Sequence, residues 1–161
     1  MVDKQIVIPY QVYQSISELT EANRNLVVKA WRASQDAYAP YSAFQVGAAL
    51  RTKNNLTLVG FNQENASYPC GICAERAAIY NFGIQNKLDK IETLAIVVFN
   101  KLAEIAFPCG FCRQVMVEAE QANEGNIQVL LGHPETEIMS FSSCKLLLPF
   151  SFHKGFLTAV G

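Results

Sequence analysis

The chain has 161 residues, half of them hydrophobic and 17% charged, against about a quarter charged in ordinary soluble domains, which excludes a disordered polypeptide. Thirteen Lys and Arg against fourteen Asp and Glu leave a net charge of −1, so the basic excess of a nucleic-acid binder is missing. The length suits one domain spanning residues 1–161, with 1–19 as an N-terminal arm and 20–161 as core and C-terminal tail. Low charge combined with many apolar residues points to surface buried between subunits, hence an oligomer.

In chain order, residues 5–13 are apolar and partly β-branched but are interrupted by Pro9, and they read as the arm. The start of the chain, residues 1–13, carries Asp3, Lys4 and Pro9, which suits neither a signal-peptide core nor a membrane span; a cytoplasmic location is the expectation. From Thr20, a capping residue, Leu26, Val27, Ala30, Trp31, Ser34, Ala37 and Tyr38 recur at helical spacing up to Pro40. Residues 44–50, a small apolar run containing Gly47, and the β-like run 56–61 flank the polar turn Lys53-Asn54-Asn55 and predict a hairpin. Pro69 and Gly71 break the chain before an Ala-rich helix starting near Cys73. Residues 94–99 read as a buried strand, 111–122 as a helix, 127–131 as a strand and 137–141 as a short strand beyond the turn Gly132-His133-Pro134. Helices alternating with strands predict an α/β or layered α/β/α architecture.

The five cysteines, Cys70, Cys73, Cys109, Cys112 and Cys144, are an odd set that points to metal ligands or free thiols rather than a disulfide framework. Cys109-Gly110-Phe111-Cys112 has a spacing shared by metal clamps and redox dithiols, and two thiols cannot complete a tetrahedral site. Cys73 opens another predicted helix, and Glu75 follows it by two positions. Helix N-termini stabilise thiolates, so two of them facing each other would make a three-thiolate zinc pocket whose fourth position stays open to water. Cys-x-Glu followed by Pro-Cys-x-x-Cys is the three-cysteine form of the zinc deaminase pattern, in which the glutamate is no ligand but the general acid and base. A structural zinc knot is the alternative, and it would not need Glu75. Three thiolates on one zinc ion leave a negative site, so a nearby cation is expected; of Arg76 and Arg113, Arg76 is preferred as a donor to a cysteine sulfur.

Tyr38-Ala39-Pro40-Tyr41-Ser42, the run from Phe44 to Leu50, Asn62-Gln63-Glu64-Asn65-Ala66-Ser67-Tyr68-Pro69, Gly71-Ile72-Cys73-Ala74-Glu75-Arg76 and Pro108-Cys109-Gly110-Phe111-Cys112-Arg113-Gln114 together resemble the cytidine deaminase family, in its short, three-cysteine, homotetrameric branch. The resemblance spans most of the chain. It implies a three-layer α/β/α fold with a mixed five-stranded sheet, and one zinc ion per subunit on Cys73, Cys109 and Cys112. It also implies hydrolytic deamination of cytidine and deoxycytidine to the uridine nucleosides with release of ammonia, a step of pyrimidine salvage. By position, Glu75 matches the catalytic carboxylate, Asn62 and Glu64 the pair that binds the ribose 3′-hydroxyl, and Phe44 the aromatic packed on the pyrimidine. Ala66 and Tyr68 match contacts near a neighbouring subunit's pocket, and Phe152 an aromatic lent across the interface.

The plainer alternatives are a loop pair bonding its own backbone for Asn62 and Glu64, and a core phenylalanine for Phe44. The partners implied are a small nucleoside and further copies of the chain, with neither nucleic acid nor membrane. Rival readings are a deaminase of another cytosine nucleoside such as blasticidin S, an editing deaminase, which the weak charge argues against, and a non-catalytic zinc-binding homologue. The sequence departs from the family in a longer arm, in Cys70, and in the lack of an acidic residue before Leu147-Leu148-Pro149. Cys70 and Cys144 are expected to be packed thiols, since a fourth sulfur would displace the water; His133 and His153 are expected to be solvated.

Overall fold

Period-two patterning decides the two faces of the sheet. The computed structural model describes residues 1–84 and 86–158. Its six strands are β1 (Gln11–Tyr13), β2 (Val46–Thr52), β3 (Thr57–Phe61), β4 (Ile91–Val98), β5 (Gln128–Gly132) and β6 (Ile138–Phe141). They form one sheet in the order β1-β6-β5-β4-β2-β3. Ala48, Leu50, Leu94, Ile96, Val129 and Leu131 share a core with helices α2 (Ala74–Phe82) and α3 (Gly110–Ala122). The intervening residues Ala49, Ala95, Val97 and Leu130 pack instead with Leu26, Val27 and Ala30 of α1 (Glu21–Ser34). Alternate side chains of a strand point to opposite faces, so a strand covered on both sides needs the unbroken apolar run seen from Leu94 to Val97.

Strand direction brings the helix starts together. β4 and β5 are parallel, while every other neighbouring pair is antiparallel. A parallel pair requires a crossover, and α3 supplies it. Because β3 and β4 both run antiparallel to β2, the chain leaves both at the same end of the sheet. The N-termini of α2 and α3, which follow those strands, therefore open at that end, where α/β sheets place their ligands. Gly60 lets α2 lie directly on β3: a Cβ there would stand 2.4 Å from Ala78 N and 2.5 Å from Ala74 O.

The mixed sheet between helices matches the expected architecture, with one strand more than the five anticipated. The extra strand is β1, which the arm forms just after Pro9 by pairing Gln11, Val12 and Tyr13 with Ser140, Met139 and Ile138 of β6. Its brevity and edge position explain why a proline-interrupted segment could supply it. Helix α1 is capped by Thr20, whose Oγ1 accepts from Asn23 N at 3.3 Å. It ends at Ser34, short of the predicted Tyr38, because Tyr38 bonds instead to the segment after β3: Tyr38 N donates to Asn62 O at 3.0 Å and Glu64 N to Tyr38 O at 2.8 Å. The tail adds a 3-10 turn, Cys144–Leu147, and a short helix α4 (Gly155–Thr158). Buried Glu120 fixes that turn by accepting from Ser143 Oγ and Cys144 N, both at 2.7 Å, and from Ile127 N at 2.9 Å. Among the described residues no helix is long and apolar enough to cross a membrane.

Candidate active site

Cys73 is the N-cap of α2 and Cys109 the N-cap of α3, and neither spends its sulfur on a capping hydrogen bond. Cys112 lies in the first turn of α3, fully buried. The three Sγ atoms lie within 4.8 Å of one another, with Cys109 and Cys112 at 3.5 Å. Zn–S bonds of about 2.3 Å at tetrahedral angles put sulfurs about 3.8 Å apart, so the cluster fits one zinc ion per subunit. Two helix N-termini direct their partial positive charge at these sulfurs. Arg76, one turn into α2, donates from Nη2 to Cys73 Sγ at 3.8 Å. Hydrogen bonding from Cys112 and the Arg76 guanidinium hold the Cys73 thiol well below its ordinary pKa. Without a metal ion, the bond to Cys73 and burial push the Cys112 thiol up. Arg113 is used elsewhere: it donates to Pro108 O at 2.7 Å and Leu147 O at 3.2 Å, tying the entry to α3 to the tail.

Glu75 sits in the first turn of α2, buried, two residues past Cys73. Burial pushes its carboxyl pKa up, and the neighbouring Cys73 thiolate adds to the effect. Desolvation disfavours the charged form, so this acid can hold a proton at a pH where an exposed glutamate has lost it. Cys73, Cys109 and Glu75 all face a cavity of about 370 Å³, a size suited to a small organic ligand.

Phe44, Asn62 and Glu64 line the same cavity. Phe44 is 42% exposed, so it is not a core residue in the single chain. Asn62 bonds the chain at the entry to β2, accepting from Val46 N at 2.7 Å and donating to Phe44 O at 2.9 Å. Glu64 accepts from Tyr41 N at 2.8 Å, Ser42 N at 3.3 Å and the Ser42 hydroxyl. The Ser42 hydroxyl and the Tyr41 N–H hold its carboxyl below the usual carboxylate range. Both side chains thus do the loop-fixing work of the plainer alternative and still face the cavity. A carboxylate has about four acceptor sites and a primary amide two donors and two acceptors, so each retains capacity for a ligand hydroxyl.

The other anticipated contacts stand apart. Ala66 and Tyr68 are exposed, Tyr68 by 85%, and Phe152 packs on Phe156 at 5.7 Å in the tail; none of the three lines this cavity. Two expectations are corrected. Cys70 is exposed rather than packed, because it ends a surface 3-10 turn, Tyr68–Cys70. His133 is buried rather than solvated, edge-on to Trp31 at 6.2 Å, with Nδ1 accepting from Glu135 N at 3.2 Å, and it lines the cavity. Cys144 is a packed thiol, its pKa raised by burial. Asn100 and residues 102–108 form a stretch of cavity wall that sequence reasoning missed. The available signal was an irregular segment carrying Leu102, Ile105 and Phe107 between a strand and Pro108, more apolar than a solvated loop requires.

Three thiols at two helix N-termini with a buried acid alongside form the donor set of a zinc-dependent hydrolytic enzyme. The sequence model of the cytidine and deoxycytidylate deaminase zinc-binding region matches residues 20–124. A cytidine deaminase of Halalkalibacterium halodurans is 39% identical over 122 residues, covering 76% of this chain and 88% of the relative. A probable cytidine deaminase of Dictyostelium discoideum is 37% identical over 119 residues, covering 73% and 76%. The crystal structure of cytidine deaminase from Burkholderia pseudomallei superposes with a TM-score of 0.70 at 34% identity, covering 83% of this chain and all of the other. That from Mycobacterium tuberculosis superposes at 0.63 and 30% identity, covering 83% and 98%. The chain belongs to the cytidine and deoxycytidylate deaminase family.

Proposed function

We propose that the protein deaminates cytidine and deoxycytidine hydrolytically, releasing ammonia, with the whole chain acting as one catalytic domain. The observation that carries this reading is the buried carboxyl of Glu75, pushed up in pKa, in the same cavity as Cys73 and Cys109. Cys73, Cys109 and Cys112 would hold zinc, which would supply the Lewis acidity that makes water a nucleophile near neutral pH. Glu75 takes a proton from the attacking water and delivers it to ring N3, which makes C4 more electrophilic. The same carboxylate then takes the proton of the new C4 hydroxyl and passes it to the departing amine, leaving a C4 carbonyl and ammonia, so that it acts as base and acid in one turnover. Arg76 offsets the negative charge of the three sulfurs through its bond to Cys73. Phe44 packs on the pyrimidine, and Asn62 with Glu64 binds the ribose 3′-hydroxyl using capacity left over from their loop bonds.

Ala66, Tyr68 and Phe152 act across subunit interfaces in a homotetramer. Their exposure supports this. A cytoplasmic enzyme serving pyrimidine salvage is the corresponding cellular role.

The test is the ultraviolet change of cytidine, deoxycytidine and cytosine with purified protein, before and after chelation and after zinc return. Nucleoside turnover that disappears with zinc and returns with it is the expected result. No turnover of any of the three by folded, zinc-loaded protein would refute the substrate assignment. Light scattering on the eluted protein tests the tetramer, and a monomer mass would remove it.

A further inference from the structure

Residues 101–107 line the cavity through Leu102, Ile105 and Phe107, yet among the described residues they make no hydrogen bond. Bonds fix the chain only on either side: Phe99 N donates to Gln45 O at 2.9 Å, and Arg113 Nε to Pro108 O at 2.7 Å. Between those anchors the wall is held by side-chain packing. Ile105 rests on the core beneath α2 and α3. Phe107 meets Phe141 edge-on, with ring centres 6.3 Å apart and planes at 71°. Phe141 is 3% exposed, and Tyr10 packs against the same ring at 5.7 Å. Tyr10 immediately precedes β1, whose pairing with β6 sets Gln11 against Ser140, the neighbour of Phe141. The arm that carries Tyr10 lies outside the family match, which begins at residue 20.

We propose that Tyr10 is a positioning residue for the nucleoside cavity: the arm braces Phe141, Phe141 holds Phe107, and Phe107 fixes the wall segment that leads into Cys109. A segment without hydrogen bonds belongs to the low-stability end of a structure, so its ring contacts decide how often it stands in place. Tyr10 touches no substrate in this arrangement. Its influence is on how well the cavity is preorganised, and therefore on KM more than on the chemical step. The kinetic part rests on the proposed deaminase reading; the brace itself does not.

The experiment uses the full zinc-loaded chain with Tyr10→Ala, Tyr10→Phe, Phe107→Ala and the double alanine variant. Loss of one aromatic pair predicts a drop of about 3- to 10-fold in kcat/KM for cytidine, carried by KM. Tyr10→Phe restores the wild-type value, since the ring is what packs. The double variant matches Phe107→Ala alone, because the effect of Tyr10 runs through Phe107. Additive losses, or an unchanged KM in Tyr10→Ala, would overturn the proposal.

Limited trypsin digestion gives a readout that needs no activity. Cleavage after exposed Lys101 accelerates in Tyr10→Ala but not in Tyr10→Phe, while cleavage after Lys53, in the turn between β2 and β3, stays constant. Equal rates at Lys101 in wild type and Tyr10→Ala would refute the brace. If wild type turns over no nucleoside, the deaminase reading fails and the digestion still decides the role of Tyr10.

Discussion

Replacing Glu75 by glutamine separates proton transfer from fold and metal. The two side chains are nearly isosteric, so the packing around a residue that is 4% exposed is kept. The three sulfurs are untouched, and zinc content should stay at about one per chain. A positioned acid–base group contributes roughly 100- to 10,000-fold, which at about 1.4 kcal/mol per decade is about 3–5 kcal/mol of barrier. The prediction is therefore a fall in kcat of that size, with KM little changed, measured by cytidine absorbance on protein whose zinc has been assayed. Stability offers a second sign. In the metal-free protein burial raises the Glu75 pKa, so the folded state prefers the protonated acid, and ionisation costs stability as pH rises through the folded value. Glutamine carries no such cost, so the metal-free variant should melt at or above wild type at pH 8, with the difference shrinking toward pH 5. A zinc-loaded variant whose kcat stays within about tenfold of wild type would refute the role given to Glu75.

Cys112→Ala removes the buried sulfur of the cluster and should leave the purified chain nearly free of zinc by atomic absorption; full occupancy would contradict the ligand assignment. Gly60→Ala places a methyl 2.4 Å from Ala78 N and 2.5 Å from Ala74 O. That backbone cannot yield as a side chain tip would, so a loss of about 3 kcal/mol and displacement of the α2 start are expected; an unchanged urea midpoint would argue against the close approach. Glu64→Gln should raise KM more than it lowers kcat, since it leaves the zinc cluster and Glu75 intact. Because hydrogen bonds lower the Glu64 pKa, its stabilisation of the Tyr41–Ser42 loop is present above the ordinary carboxylate range and is lost only as pH falls through the lower folded value. Circular dichroism and KM measured in parallel down to pH 5 should show no Glu64-dependent loss, and a difference from the glutamine variant that vanishes near pH 6 would contradict the shift.

The parts of this protein that were legible are those whose signals are local. Helices α2 and α3 were placed to within a residue or so at their starts because Pro69, Gly71 and Pro108 exclude helix just upstream and the thiols sit at the N-caps. Strand β4 declared itself by an apolar run that only a sheet covered on both faces requires. Helix α1 was overextended because the period of its apolar residues continues to Tyr38, whereas the backbone of Tyr38 is claimed by Asn62 and Glu64, more than twenty positions away in sequence. No window along the chain contains that competition.

The same division runs through the site. Cys73 with Glu75, and Cys109 with Cys112, could be paired with chemistry because a helix N-terminus creates both the field that favours a thiolate and the spacing that presents it. The cavity wall has no such local cause. Phe107 stands where it does because Phe141, from a strand beyond α3, meets it edge-on, and Phe141 is held in turn by Tyr10 from the arm. His133 is buried for a like reason: Trp31 on α1 and the turn leading into β6 close over it. The groups that move protons and hold metal are thus specified by short motifs at one end of the sheet. The groups that shape the space for a substrate come from widely separated parts of the chain, and substitutions in the arm can therefore tune substrate capture without touching the zinc ligands or Glu75.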